Sequence, residues 1–185
     1  EGKTNKGNPD LKPEESEAFE VGLKYNTYFL RAHIAGFYRK GKNMIDWVKE
    51  KPEDIWESQN LTKVDNLGFE TNLSLLPREL GNERFFIRKI ELGYAFIHQD
   101  KDSEGYISNY ALDYLKHKFT AQLSHSIWKG FSATWYVRWQ DRAGSYTKYE
   151  NLKPAYEEPY APYCLVDMKV NWEYQRLNLY AELNN

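Results

Sequence analysis

Residues 162–185, PYCLVDMKVNWEYQRLNLYAELNN, alternate between apolar and polar side chains along most of their length. The first apolar set is Cys164, Val166, Met168, Val170, Trp172 and Tyr174. After Gln175 and Arg176 the alternation restarts, with Leu177, Leu179, Ala181 and Leu183 on one side. Successive side chains of a β-strand point to opposite faces, so this period of two predicts two strands joined by a short turn. The apolar face of such strands must then meet either a protein core or lipid.

The same period of two recurs along the whole chain, and almost nothing in it has a helical period. Eight alternating segments lie near residues 19–25, 29–47, 67–75, 90–96, 118–127, 131–140, 163–174 and 177–184. No internal repeat or low-complexity linker divides them. We therefore expect an all-β fold, a continuous antiparallel up-and-down meander of about eight long strands.

The predicted connections alternate in length along this meander. NTY, PRELGNER, WKG and QR are the short connections, and KEKPEDIWE, KDSEGYISNY and YTKYENLKPAYEEPYAP are the long ones. All short turns then lie at one end of the sheet and all long loops at the other. This arrangement is typical of a transmembrane β-barrel, which has short periplasmic turns and long extracellular loops. The second segment also exceeds the usual length of a soluble strand.

Composition excludes several other classes of protein. The chain has 185 residues, a net charge of −2 and no basic patch, so nucleic acid is not an expected partner. A single cysteine, Cys164, excludes an internal disulfide framework. No apolar run is long enough for a membrane helix, and the polar start EGKTNKGNPD lacks the apolar core of a signal peptide. No catalytic or cofactor-binding motif is present, so we predict neither an enzyme nor a cofactor.

A second interpretation remains open at this point. A soluble all-β binding module, for example one that binds carbohydrate, would use the same alternation to build an ordinary core. The mean hydropathy of −0.80 does not decide the question, because membrane barrels also carry polar inner faces and large polar loops.

Three stretches resemble the barrel of TonB-dependent outer-membrane receptors: residues 8–25 (NPDLKPEESEAFEVGLKY), 35–48 (AGFYRKGKNMIDWV) and 60–74 (NLTKVDNLGFETNLS). The matching positions are Asn8, Pro9, Leu11, Pro13, Glu14, Glu20, Gly22, Phe37, Tyr38, Asn43, Ile45, Trp47, Asn60, Gly68 and Glu70. The final stretch, from Tyr163 to Asn185, is similar to strands just before the closing segment of that barrel. Order and spacing make the resemblance more specific than any single motif.

The resemblance implies a receptor in the bacterial outer membrane that imports a scarce nutrient, closer to vitamin B12 and siderophore receptors than to glycan importers. Such receptors have a barrel of about 22 strands and an N-terminal plug that carries the TonB box. We expect residues 1–185 to be a partial barrel domain, without plug, signal peptide or terminal strand. The expected partners are a small nutrient, outer-membrane lipid and, through the plug, TonB. We also expect the isolated chain to self-associate.

Aromatic residues of the predicted long loops are the candidate ligand-binding residues, because rigid aromatic rings can capture a bulky ligand. They are Trp47, Trp56, Tyr106, Tyr110, Tyr146 and Tyr149, with Tyr156 and Tyr160 nearby. The same residues would equally suit an aromatic girdle at the outer membrane interface.

A second candidate site is a weak calcium motif in DKDSEG. Asp100, Asp102, Glu104 and Gly105 reproduce the first half of a calcium loop, but its twelfth position is Ala111 rather than glutamate. The four histidines are scattered singly, and we expect wall contacts from them rather than metal binding.

Overall fold

Most of the described chain is β-structure. A computed structural model of the protein describes residues 5–51, 53–81, 84–102, 105–108, 114–150 and 153–185. Its strands are β1 (Asn5–Lys6), β2 (Glu15–Asn26), β3 (Leu30–Lys49), β4 (Trp56–Leu75), β5 (Ile87–Asp102), β6 (Ile107–Ser108), β7 (Leu115–Trp128), β8 (Phe131–Arg142), β9 (Ser145–Glu150), β10 (Lys153–Pro159), β11 (Tyr163–Tyr174) and β12 (Leu177–Leu183). A 3-10 turn spans Pro77–Leu80. No helix in these ranges has the length and hydrophobicity that a membrane crossing requires.

One sheet runs through the chain in the order β12–β11–β8–β7–β5–β4–β3–β2. Every neighbouring pair along this path is antiparallel. The short strands lie outside the path: β1 pairs with β4, β6 pairs with β3, and β9 and β10 form a hairpin of their own. The prediction of an antiparallel up-and-down meander of about eight long strands is therefore confirmed.

One face of the sheet is apolar and exposed. Directly paired residues of adjacent strands share a face. One such row consists of Leu23, Ile34, Thr71, Tyr94, Phe119, Trp139 and Cys164. On the edge strand β2, Val21 and Leu23 keep 76% and 74% of their surface exposed. The buried hydrophobic residues of the described ranges are Ala35, Val48, Val64 and Ala133. A soluble sandwich would cover this face with a core, so the soluble-module interpretation fits the sheet poorly.

The connections lie at two ends of the sheet, but their lengths do not alternate strictly. Residues 27–29, 76–86, 129–130 and 175–176 connect strands at one end, and residues 50–55, 103–114 and 143–162 do so at the other. The first connection of the second group has six residues and is shorter than the eleven-residue connection 76–86. The reason is that β4 begins at Trp56, well before its predicted start near residue 67, and pairs with β3 as far as Glu57 and Val48.

Four of the predicted loop aromatics are strand residues, which corrects their placement. Trp47 lies within β3, and Trp56 is the first residue of β4. Tyr146 and Tyr149 belong to β9, because the connection after β8 pairs with itself as the β9–β10 hairpin. Tyr106 lies directly before β6, and Tyr110 falls outside the described residues.

The facing of side chains in β3 changes at Asn43. This residue has a left-handed backbone with φ of 54°, a conformation in which asparagine is several-fold enriched. A Cβ placed on Gly41 would lie 3.0 Å from Met44 Sδ, so Gly41 and Met44 lie on the same face. Regular alternation would place residues three positions apart on opposite faces. Beyond Asn43, Ile45 is exposed while Asp46 and Val48 are buried. The outer end of β3 therefore follows a different alternation from the rest of the strand.

Candidate ligand-binding rim

Aromatic residues mark the end of the sheet that carries the short turns. Ring pairs occur at Tyr28–Phe29 and Phe85–Phe86, each with 5.2 Å between centroids. Phe131 and Trp172 stack at 5.8 Å beside the turn 129–130. Tyrosine and tryptophan concentrate at membrane–water interfaces, so this aromatic belt marks one boundary of the apolar band. This belt was not predicted from the sequence, although Tyr28 lies within the predicted turn NTY and Phe29 directly follows it.

The second boundary lies where charge returns to the apolar face. On β3 this face carries apolar or small side chains from Leu30 to Tyr38, and Lys40 follows in the row of Asp65. The Tyr38 hydroxyl donates a hydrogen bond to Asp65 Oδ2 at 3.1 Å. Nine residues of tilted strand match the roughly 9–11 that cross a hydrocarbon core. The rim, defined as the part of the sheet beyond this row towards residues 50–55, stands clear of the band.

A buried ion pair lies on one side of the rim. Lys101 Nζ of β5 is 3.5 Å from Asp46 Oδ2 of β3, and their side chains are 4% and 2% exposed. The Ser108 hydroxyl of β6 donates to the same carboxylate oxygen, and Asp46 Oδ1 accepts from the Trp47 amide at 2.7 Å. Burial lowers the pKa of Lys101, and the neighbouring Asp46 carboxylate partly opposes this effect. The pair links three strands at the outer end of β3.

The predicted ligand-binding aromatics fall into two groups. In the first, the Lys49 ammonium lies 4.6 Å from the centre of the Trp56 ring. A cleft of about 270 Å³ beside this hairpin is lined by Tyr106, Lys49 and Glu57, among others. Trp47, the residue directly before Val48 in β3, is half-buried. Half-buried rings, a cation and a nearby cleft are elements from which a ligand-capturing surface can be built.

The second group occupies the β9–β10 hairpin. Tyr146 and Tyr160 have ring centroids 5.7 Å apart, and Tyr149 is largely exposed. The Tyr146 hydroxyl donates to Glu158 at 3.0 Å, and Lys148 pairs with the same carboxylate at 2.9 Å. These hydrogen bonds lower the pKa of Glu158 and raise those of Lys148 and Tyr146. The hairpin therefore presents aromatic rings and a paired positive charge in one patch.

Part of the predicted calcium loop lies in a regular strand. Asp100 and Asp102 belong to β5, where alternate positions lie about 7 Å apart instead of curling around one ion. Glu104 and Ala111 lie outside the described residues. Within the described ranges no group of three or more His, Cys, Asp or Glu side chains is placed to hold a metal ion.

The histidines make wall contacts. His117 Nδ1 is 2.8 Å from the Tyr94 hydroxyl, and the Trp135 indole donates to His125 Nε2 at 3.2 Å. His33 lies 3.8 Å from Glu70 on the polar face.

The polar face of the sheet borders an open cavity that the sequence analysis did not identify. Its volume is about 640 Å³, and its charged lining residues are Lys24, Arg31, Glu91, Arg138 and Asp167. These residues are the polar members of the alternating strands, so the sequence signal was present. The sequence did not show the strand register, which places these five residues, each from a different strand, around one cavity.

A family model described as TonB dependent receptor-like, beta-barrel, matches residues 1–185. The chain belongs to this family of TonB-dependent receptor β-barrels. Members are outer-membrane β-barrel proteins, so the sheet is part of a barrel wall and the soluble-module interpretation is wrong. The family consists of receptors and transporters rather than enzymes.

Three relatives show the range of this similarity. The vitamin B12 transporter BtuB of Vibrio vulnificus is 28% identical over 105 residues, 49% of this chain and 17% of the relative. A ferric enterobactin receptor (PfeA) mutant from Pseudomonas aeruginosa, in complex with enterobactin, superposes with a TM-score of 0.68 at 20% identity. That match covers 98% of this chain and 27% of the receptor chain. The copper transporter OprC has a TM-score of 0.67 at 17% identity over 96% of this chain and 26% of its own. The structural likenesses show the fold alone.

Proposed function

We propose that residues 1–185 form part of the barrel domain of a larger outer-membrane receptor that binds and imports a scarce nutrient, such as vitamin B12 or an iron-siderophore. The family match over the whole chain is the observation that carries this proposal. The chain spans only 17% of the Vibrio transporter, so plug, TonB box and remaining strands would lie in other parts of the receptor. Import would be energised by TonB through the plug.

Vitamin B12 is the first ligand to test, because the Vibrio relative is a vitamin B12 transporter. In this proposal the aromatic residues predicted from the sequence contact the ligand: Trp47, Trp56, Tyr106, Tyr110, Tyr146 and Tyr149. Aromatic rings add large contact area with little loss of conformational entropy, which suits capture of a bulky molecule from dilute solution. Lys49 above the Trp56 ring adds a positive charge to this surface.

The experiment measures equilibrium binding of cyanocobalamin and of ferric enterobactin to the purified full-length receptor. We expect one of the two to bind, and Trp56→Ala or Tyr106→Ala to raise its Kd about tenfold, as for the central aromatic of an interface. Trp128→Ala is the matched control, because Trp128 is an exposed tryptophan at the short-turn end. Binding of neither compound, or equal losses in Trp56→Ala and Trp128→Ala, would contradict the proposed ligand class or the rim site respectively.

A further inference from the structure

Residues 5–14, which include the NPDLKPE motif, form a strap across the outer end of the β3–β4 hairpin. The strap begins as β1, whose Asn5 and Lys6 pair in parallel with Trp56 and Glu57 of β4. Lys6 Nζ lies 3.0 Å from Glu57 Oε1, and the amide of Asn8 donates to the Ser58 hydroxyl at 3.0 Å. The strap then leads into β2, the edge strand on the other side of β3.

Asn60 of β4 fastens the strap at its centre. Its Oδ1 accepts the Lys12 amide at 2.8 Å, and its Nδ2 donates to the Lys12 carbonyl at 3.0 Å. The same Nδ2 donates to the carbonyl of Asn43 at 2.6 Å. An asparagine amide has two donor hydrogens and one acceptor oxygen, and here all three take part. One side chain therefore joins the strap, β4 and the left-handed residue of β3.

Glu14 adds a second attachment next to this one. Its Oε1 accepts the backbone amide of Ile45 at 2.8 Å, two residues beyond Asn43. Asn60 and Glu14 thus hold the backbone of β3 at Asn43, where its facing changes, and at Ile45, two residues beyond. Because of that change, the side chains of Asp46 and Val48 are buried, and Asp46 pairs with Lys101.

The hairpin needs this support because its neighbours end early. Pairing of β2 with β3 stops at Lys42, and pairing of β5 with β4 stops at Lys63. Beyond these residues β3 and β4 would be an isolated two-stranded hairpin, which is marginally stable in water. The strap supplies a partner for the free edge of β4 through β1, and β6 supplies one for the free edge of β3.

We propose that Asn60 is a positioning residue for ligand capture, which holds the outer β3–β4 hairpin and its aromatic residues in place by fastening the strap to it. The link to ligand rests on the proposed function. The fastening itself is a property of this chain and needs no ligand to test.

The experiment compares Asn60→Ala with Asn66→Ala in the full-length receptor, in outer-membrane vesicles and a Cys164→Ser background. Asn66 lies on the same strand, and its side chain makes no hydrogen bond to any described residue. A nitroxide on Glu53→Cys, at the exposed tip 50–55, reports motion of the hairpin. We expect Asn60→Ala to mobilise the label and to weaken cyanocobalamin binding about tenfold, with an unchanged amount of folded barrel by heat-modifiable gel mobility. Asn66→Ala should change neither reading.

Glu14 provides the second pair of variants. Glu14→Gln keeps a carbonyl oxygen that accepts the Ile45 amide, so it should behave as wild type, whereas Glu14→Ala should mobilise the label as Asn60→Ala does. An immobile label in both alanine variants, or equal mobility in Asn60→Ala and Asn66→Ala, overturns the proposal. A mobile label with unchanged cyanocobalamin affinity overturns the positioning role. If wild type binds no cyanocobalamin, the proposed function fails separately, and the label still decides whether Asn60 fastens the strap.

Discussion

Asp46 and Lys101 form a buried ion pair in the rim, and loss of either partner should destabilise the rim. Both side chains are almost completely buried, and the Ser108 hydroxyl also bonds to the Asp46 carboxylate. Burial of an ion pair contributes little net stability, because desolvation offsets the attraction between the charges. Removal of one partner has a much larger effect, since it leaves the other charge buried and uncompensated.

We therefore predict a non-additive cycle at this pair. Lys101→Met and Asp46→Asn should each destabilise the β6–β3 contact, Lys101→Met by about 3–5 kcal/mol, and the double variant should recover most of the loss. Hydrogen exchange of the β6 amides in the full-length receptor measures the effect. Lys89 and Glu91, an ion pair at 2.8 Å with side chains more than a third exposed, form the control, and changes there should cost at most about 1 kcal/mol. Additive losses at Asp46 and Lys101 would show that the two charges are not coupled.

At the scale of the element, β3 contains two segments with different surroundings. Its first part, from Leu30 to Tyr38, alternates between the lipid face and the polar face. Its last part, beyond Asn43, pairs with β4 and β6 and makes a further contact with Glu14 of the strap. Only the first part follows the alternation of the apolar band.

Ile34 and His33, adjacent residues at the centre of the first part, should respond differently to substitution by arginine. Ile34→Arg places the charge in hydrocarbon and should destabilise the folded receptor by about 2–4 kcal/mol. His33→Arg is the matched control, because His33 lines the polar cavity near Glu70 and tolerates a cation. Urea unfolding of the full-length receptor in lipid vesicles measures both. Equal destabilisation would contradict the assignment of Ile34 to the lipid face.

The same division explains how much of the fold the sequence alone could predict. The strands of the apolar band were predictable, because lipid on one face and a polar interior on the other enforce a period of two. The outer ends were not, because the left-handed Asn43 interrupts that period and charged residues such as Asp46 follow it. The polar β9–β10 hairpin carries no such signal either. Trp56 was consequently expected in a loop, although it begins a strand.

Site prediction was limited by the same cause. Residue type suggested an aromatic site at the long loops, but not which of the aromatic residues meet. Tyr106 lines the cleft with Glu57 because β6 crosses to β3, and Tyr146 faces Glu158 because the hairpin pairs with itself. Both arrangements depend on contacts between distant parts of the chain, which single-residue patterns do not encode.

At the scale of the whole molecule, the sheet has two unpaired edges. They belong to β2 and β12, whose described residues are all exposed. The free backbone groups of an edge strand recruit other chains. The apolar face adds exposed rings and aliphatic side chains, which are interaction surfaces or aggregation liabilities when no lipid covers them.

We accordingly predict that the 185-residue chain self-associates in buffer without detergent. Face-to-face pairing of two copies should dominate, because it buries the apolar faces at the usual spacing of about 10 Å and leaves both polar faces in water. Multi-angle light scattering should report a dimer or larger species, and dodecyl maltoside should dissociate it. A monomer that persists on dilution and binds no hydrophobic dye would contradict this prediction.

Because of the left-handed Asn43, the outer surface of the receptor could be replaced without changing its wall. The face on which successive side chains lie changes at this residue. The apolar–polar alternation of the band therefore does not constrain the sequence of residues 44–61. A replacement of this segment could therefore change what the outer surface recognises while the wall keeps its pairing and its insertion properties. Such a graft would also need the strap of the donor protein. The strap contacts the segment directly, since the Lys12 backbone amide donates to the Asn60 side chain and Glu14 accepts the backbone amide of Ile45. The transferable unit would be two separate pieces of chain, residues 5–14 with residues 43–61.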